Sequence, residues 1–110
     1  MAEYDVFLAD CPARTTLELI SGTWSVVIVV GLAHGPRRYS YLLERPGGIS
    51  KKMLTQTLHR LTGNGLVIPP PQRGGEYALS ALGESLLVPL TALTLWARDN
   101  TDAMLAAADA

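Results

Sequence analysis

Ser50-Lys-Lys-Met-Leu-Thr-Gln-Thr-Leu-His-Arg-Leu61 is the stretch on which the reading of this chain turns. Ser50 is an N-cap residue, because its hydroxyl oxygen can accept from the free N–H groups of a first helical turn, and Gly63-Asn64-Gly65 supplies the stop. The spacing between them predicts a helix of about three turns. Leu54, Leu58 and Leu61 fall at i, i+4 and i+7 and make its buried stripe, with Met53 and Thr57 at the edges. Lys52, Thr55, Gln56 and His59 share the opposite face, which is polar and rich in hydrogen-bond donors.

Working outward, Pro46-Gly47-Gly48 ends a preceding short helix that Ser40 is expected to cap and that runs through Arg45. Arg37-Arg38-Tyr39, after Gly35-Pro36, reads as a short extended piece. Further upstream Pro12 opens a helix containing Leu17, Leu19 and Ile20, which Ser21-Gly22 interrupts. A second apolar helix follows from Thr23, with Trp24, Val27, Ile28 and Leu32 at helical spacing. Its β-branched Val26, Val29 and Val30 fit a buried strand equally well, and helix is chosen on context. Downstream, Leu66-Val67-Ile68 and Glu76-Tyr-Ala-Leu79 read as two strands joined by a turn from Pro69 to Gly75. Ser80 starts the last helix, in which Leu82, Leu86, Pro89, Leu90, Leu93 and Trp96 or Ala97 recur at threes and fours. Pro89 is expected to kink it. The tail from Thr101 to Ala110 is either one more helical segment or a frayed end.

A chain of 110 residues, 48% hydrophobic, has the size of a single domain, 1–110, with an N-terminal arm over 1–10 and a terminal helix and tail over 80–110. Its longest apolar run, the eight residues from Val26 to Ala33, is far short of the roughly 20 that a spanning helix needs, so no membrane role is expected. Met1-Ala-Glu-Tyr-Asp carries acids where an export signal carries basic residues, which points to the cytoplasm. The lone Cys11 forms neither an internal disulfide nor a zinc site. Paired carboxylates, a nucleophile elbow, a phosphate loop and metal-ligand spacing are all missing, so neither an enzyme nor a cofactor is expected.

Net charge is −1, but it is unevenly spread. Arg37, Arg38, Arg45, Lys51, Lys52 and Arg60 stand against Glu44 alone between positions 37 and 60, a local +5 that leaves −6 elsewhere. Such separation suggests one face for a polyanion on an acidic body.

Helix, helix, short helix, Ser-capped helix and two-stranded hairpin is the order of a winged helix-turn-helix, an α+β fold that is mostly α. In detail the chain resembles the HxlR-type winged-helix transcription regulators, relatives of the MarR-like ones. The resemblance is carried by Cys11-Pro12 with Leu17-Glu-Leu-Ile20, Gly22-Thr-Trp24, Gly35-Pro-Arg-Arg-Tyr39, Gly48 to Leu58 running into Gly65-Leu-Val67, and Glu76-Tyr77 through Gly83. It covers roughly residues 10 to 98. Two departures stand out: Thr23 and Ser25 flank Trp24 where the family has basic residues, and the loop between the strands is short, with Arg73 its one charged group.

The resemblance implies a dimeric DNA-binding regulator, a repressor that answers a small-molecule effector or a redox signal. The alternative reading is a winged-helix protein-interaction or effector-binding module with weak or no DNA affinity. The expected DNA-binding set is Arg37, Arg38, Ser40, Ser50, Lys51, Lys52, Thr55, Gln56, His59, Arg60 and Arg73, on a pseudo-palindromic double-stranded operator. Within it Gln56 suits adenine edges and Lys52 guanine or phosphate, whereas Arg37, Arg38 and Ser40 position the backbone. Tyr4, Phe7, Leu86, Leu90, Leu93 and Trp96 are expected at a homodimer interface. Cys11 is the candidate sensing thiol, set against the plainer reading of a small buried residue. Trp24, Trp96 and Tyr4 read by default as core aromatics.

Overall fold

The computed structural model describes residues 4–110; Met1, Ala2 and Glu3, the start of the expected N-terminal arm, lie outside the described residues. Pro12 occupies the first position of α1 (Pro12–Ser21), where its missing N–H removes no bond and its fixed φ is already helical. Gly22 is extended at φ −60°, ψ 141° and serves both as the end of α1 and as the cap of α2 (Thr23–Gly31). The two helices are bent 70° apart.

The β-branched stretch is therefore a helix, and its burial pattern gives the reason. Ser25, Ile28, Val29 and Leu32 are the buried positions, an i, i+3, i+4, i+7 stripe that a strand cannot present on one face. Trp24 and Val27, expected in that stripe, instead flank it half-buried.

β1 (Arg37–Arg38) leads directly into α3 (Tyr39–Glu44). Ser40 is not the cap of this helix. Arg38 is held extended at φ −78°, ψ 159° by strand pairing and takes the cap position itself, so the helix begins two residues earlier and Ser40 sits exposed as its second residue.

α4 (Lys51–Gly63) has the expected Ser50 cap, whose Oγ accepts the Met53 N–H at 3.0 Å. Its far end closes as a Schellman motif. The Leu66 N–H reaches the Leu61 carbonyl and the Gly65 N–H that of Thr62, with Gly65 at φ +79°. Leu54, Leu58 and Leu61 are buried as expected, and Thr57, expected at the edge, is fully buried beside them. Ser50→Ala is expected to lower stability by about 1 kcal/mol in chemical unfolding, the usual contribution of such a cap; an unchanged midpoint would mean that the helix start is held by packing alone.

The wing consists of β2 (Val67–Ile68) and β3 (Glu76–Leu79), antiparallel in the register Val67↔Leu79 and Ile68↔Ala78. It gains a strand that the two-stranded expectation missed. β1 pairs along the other edge of β3, Arg37 opposite Tyr77 and Arg38 opposite Glu76, giving the order β1-β3-β2.

The last helix is split rather than bent. α5 (Ala81–Ser85) and α6 (Leu87–Ala108) are separated at Leu86, three residues before Pro89. The proline ring excludes a regular turn before it, and Pro89 then takes an early position of α6 where no N–H partner is needed. The tail is helical through Ala108.

Leu90 closes the core formed by Ile28, Val29, Leu32, Leu42, Ile49, Leu54, Leu58, Leu61, Leu66 and Val67. It therefore belongs to the chain's own interior and not to a surface offered to a second copy, and Leu86 is half-buried against the same cluster. Trp24 packs on this core, but Trp96 and Tyr4 do not: they are 55% and 58% exposed, contrary to their default reading as core aromatics. Among the described residues no single helix is long and apolar enough to cross a membrane.

Candidate nucleic-acid interface

α4 carries the site because its Leu54–Leu58–Leu61 stripe is anchored in the core, which fixes the rotation of the helix about its axis. Lys52, Thr55, Gln56 and His59 are accordingly all exposed on the side away from the core, as are Ser50 and Lys51 at its start and Arg60 near its end. Spacings of four residues place Lys52, Gln56 and Arg60 in one row on that surface.

α3 is tied to α4 through a residue absent from the expected set. The Tyr39 Oη donates to the Lys51 carbonyl at 3.1 Å and lies 3.0 Å from the Thr55 Oγ1. Beside this contact a crevice of about 260 Å³ runs between α4 and the base of the wing, lined by Tyr39, Thr55, His59, Thr62, Pro69 and Tyr77. The helix and the wing thus flank a common concavity.

At the wing tip Arg73 is exposed in a turn closed by the Gly75 N–H on the Gln72 carbonyl. Gly74 has φ +85°, a conformation that side chains other than hydrogen resist, and a Cβ on Gly75 would lie 2.7 Å from the Cβ of Pro70. The glycines thus let the loop fold back on its prolines and leave one guanidinium outward.

The two β1 arginines differ in availability. Arg38 is exposed, opposite Glu76 on the neighbouring strand. Arg37 is partly buried, with its guanidinium carbon 4.5 Å from the centre of the Tyr41 ring and its Nε buried without a partner. The cation–π contact holds Arg37 against the protein, so Arg38 is the freer of the two. Of the expected set the structure places Ser50, Lys51, Lys52, Thr55, Gln56, His59 and Arg60 on one helix, Arg37, Arg38 and Ser40 at the start of α3, and Arg73 apart at the wing tip.

Electrostatically, the basic segment is not neutralised from within. The two ion pairs among the described residues, Arg14–Glu18 at 3.4 Å and Arg98–Asp99 at 3.7 Å, both lie outside positions 37–60. Cys11 is a free, buried thiol that caps α1 with its backbone. Among the described residues no three His, Cys, Asp or Glu side chains gather as a metal site.

With helix, crevice and wing in place, comparison with known proteins gives the family. The HxlR-like helix-turn-helix family matches residues 19–104, from α1 through most of α6. The chain belongs to that family. The uncharacterized HTH-type transcriptional regulator YtfH of Escherichia coli (strain K12) is 35% identical over 116 residues, covering 99% of this chain and 90% of that protein. Among solved structures, ytfH from Salmonella typhimurium, described as a transcriptional regulator, superposes with a TM-score of 0.86 at 34% identity and covers 98% of this chain and 100% of its own. The redox regulator HypR in its oxidized form also superposes, with a TM-score of 0.75 at 26% identity, and covers 82% of this chain and 97% of its own. The HxlR-like proteins matched are transcriptional regulators, not enzymes, and their winged-helix architecture is the one described above.

Proposed function

We propose that the chain is one winged-helix domain acting as a dimeric, sequence-specific repressor in the cytoplasm, with α4 in the major groove of each half-site and Arg73 in the adjacent minor groove. The observation that carries this reading is the outward face of α4. It combines Lys52, Thr55, Gln56 and His59 without an acidic residue, on a helix whose orientation the core fixes. Arg38, Lys51 and Arg60 fit phosphates around it. A narrow minor groove concentrates negative potential, and a single guanidinium on a stiff loop suits it.

The exposed side chains of Leu93 and Trp96 on α6, with Phe7 91% exposed on the N-terminal arm, support a second copy as partner. A response to a redox signal or a small molecule is supported by two structural relatives at 26% identity, the redox regulator HypR and quinone-bound YodB from Bacillus subtilis. In this chain any thiol-based response uses Cys11, the one cysteine. That thiol is buried, so a reagent reaches it only through a local rearrangement.

The test is affinity for the DNA upstream of the chain's own gene and for random DNA at several salt concentrations. Gln56→Ala is expected to cost about 1–3 kcal/mol on the cognate site and little on random DNA. Arg38→Ala weakens both alike and reduces the salt slope by about one for each phosphate it no longer neutralises. Arg73→Ala costs less on the cognate site than the Lys52→Ala/Gln56→Ala double variant does. Equal losses on both DNAs for Gln56→Ala, or a larger loss from the wing variant, would overturn the groove assignment.

A further inference from the structure

We infer that Tyr39 determines what Thr55 reads, by drawing its hydroxyl toward α3 and leaving its methyl group to contact the 5-methyl of a thymine. This rests on the reading of α4 as the groove helix. The Lys51 carbonyl carries no proton, so Tyr39 must donate in the 3.1 Å bond between them. With its single proton so placed, the phenol is the acceptor in its 3.0 Å contact with Thr55, and the Thr55 hydroxyl is the donor.

Thr55 is nevertheless exposed. A β-branched side chain in a helix has few rotamers, and threonine divides between two of them according to where its hydroxyl bonds. The link to Tyr39 selects one, and the hydroxyl proton that would report a base acceptor is already engaged. With its proton spent the hydroxyl can no longer donate to a base, and the group of Thr55 that can still make an apolar contact with a base edge is the Cγ2 methyl. In the major groove only the thymine of an A·T pair presents a methyl group, so an apolar contact there distinguishes thymine without a hydrogen bond. Lys52 and Gln56, on the same face, retain their polar readout. Tyr39 touches no DNA in this arrangement; it is a positioning residue that couples α3 to the specificity of α4.

The experiment uses the full chain and the tightest duplex recovered from a randomised DNA pool. Each thymine is replaced in turn by uracil, which removes only the 5-methyl. Burial of one methyl group corresponds to about a fourfold effect, so one position per half-site is expected to lose about fourfold with the unaltered protein. Thr55→Ser keeps the bond to Tyr39 and lacks the methyl, and should bring the thymine-to-uracil ratio at that position to one. Tyr39→Phe removes the acceptor, lets Thr55 divide between its rotamers, and should lower the ratio to about twofold while thermal unfolding shows the fold intact. A selective duplex with no thymine-to-uracil effect at any position overturns the inference and leaves the DNA-binding reading standing. So does a ratio that is unchanged in either variant. Failure to recover any selective duplex overturns both readings.

Discussion

Leu93→Asp is expected to leave a folded monomer whose affinity for the operator has fallen by about 10²–10⁴-fold. Leu93 is 56% exposed on α6 and Trp96, three residues on, 55%, so a carboxylate at 93 disturbs no interior packing. In the proposed dimer the same carboxylate is buried twice without a cation, at a cost of roughly several kcal/mol for each ion. The loss on DNA then follows from geometry. Two recognition helices held about 34 Å apart bind adjacent half-sites as one unit, and separating them removes the effective concentration that the second contact enjoys. Light scattering at micromolar concentration and titration of the operator check the two parts. A variant that stays dimeric with its affinity unchanged removes the terminal helices from the interface.

The largest effect on stability is expected from one added methyl group. A Cβ on Gly83 would lie 2.1 Å from the Leu66 carbonyl oxygen and 3.2 Å from the Leu79 side chain. Neither can withdraw easily. The Leu66 carbonyl receives the Ser80 N–H at 3.0 Å, and the Ser80 hydroxyl caps the Gly83 N–H, also at 3.0 Å, so the start of α5 is clamped to the entry of β2. Gly83→Ala should therefore lower stability by about 3 kcal/mol, with a fall in Tm of about 15 °C. Gly63→Ala is the matched control. A Cβ there meets nothing within 4 Å, and the residue ends α4 in a helical conformation, so this change should be neutral or stabilise by up to about 1 kcal/mol. Comparable losses in both variants would mean that the close approach at Gly83 is not what limits substitution.

The elements legible in the sequence are those whose signals are local. Ser50, Gly65 and the Leu54–Leu58–Leu61 stripe specify α4 within fifteen or so consecutive residues, and the structure agrees on the cap, the closing glycine and the buried leucines, while Thr57 lies deeper than the edge position expected of it. Where the outcome depends on a distant partner, local spacing fails. Ser40 looks like a cap until β1 pairs with β3, a segment almost forty residues away, and moves the helix start. Leu90 looks like part of a surface stripe, but the break at Leu86 turns α6 so that this leucine meets the core. Tyr39 escapes a reading of the sequence because its importance lies in one phenolic oxygen reaching the first turn of another helix, and nothing in its sequence neighbourhood announces that. Arg37 looks equivalent to Arg38; an aromatic ring four residues on separates them.

The division of the last helix at Leu86 also gives the molecule a lever. α6 is 22 residues long, about 33 Å at the usual rise, and is joined to α5 by a single residue. A tilt of about 10° at such a pivot carries the far end through about 6 Å, close to two base-pair steps of the duplex. Small rearrangements near the joint are thus magnified at the far end of α6, and the reverse holds as well: a contact that holds the far end fixes the angle at Leu86 with a mechanical advantage that short contacts near the core do not have.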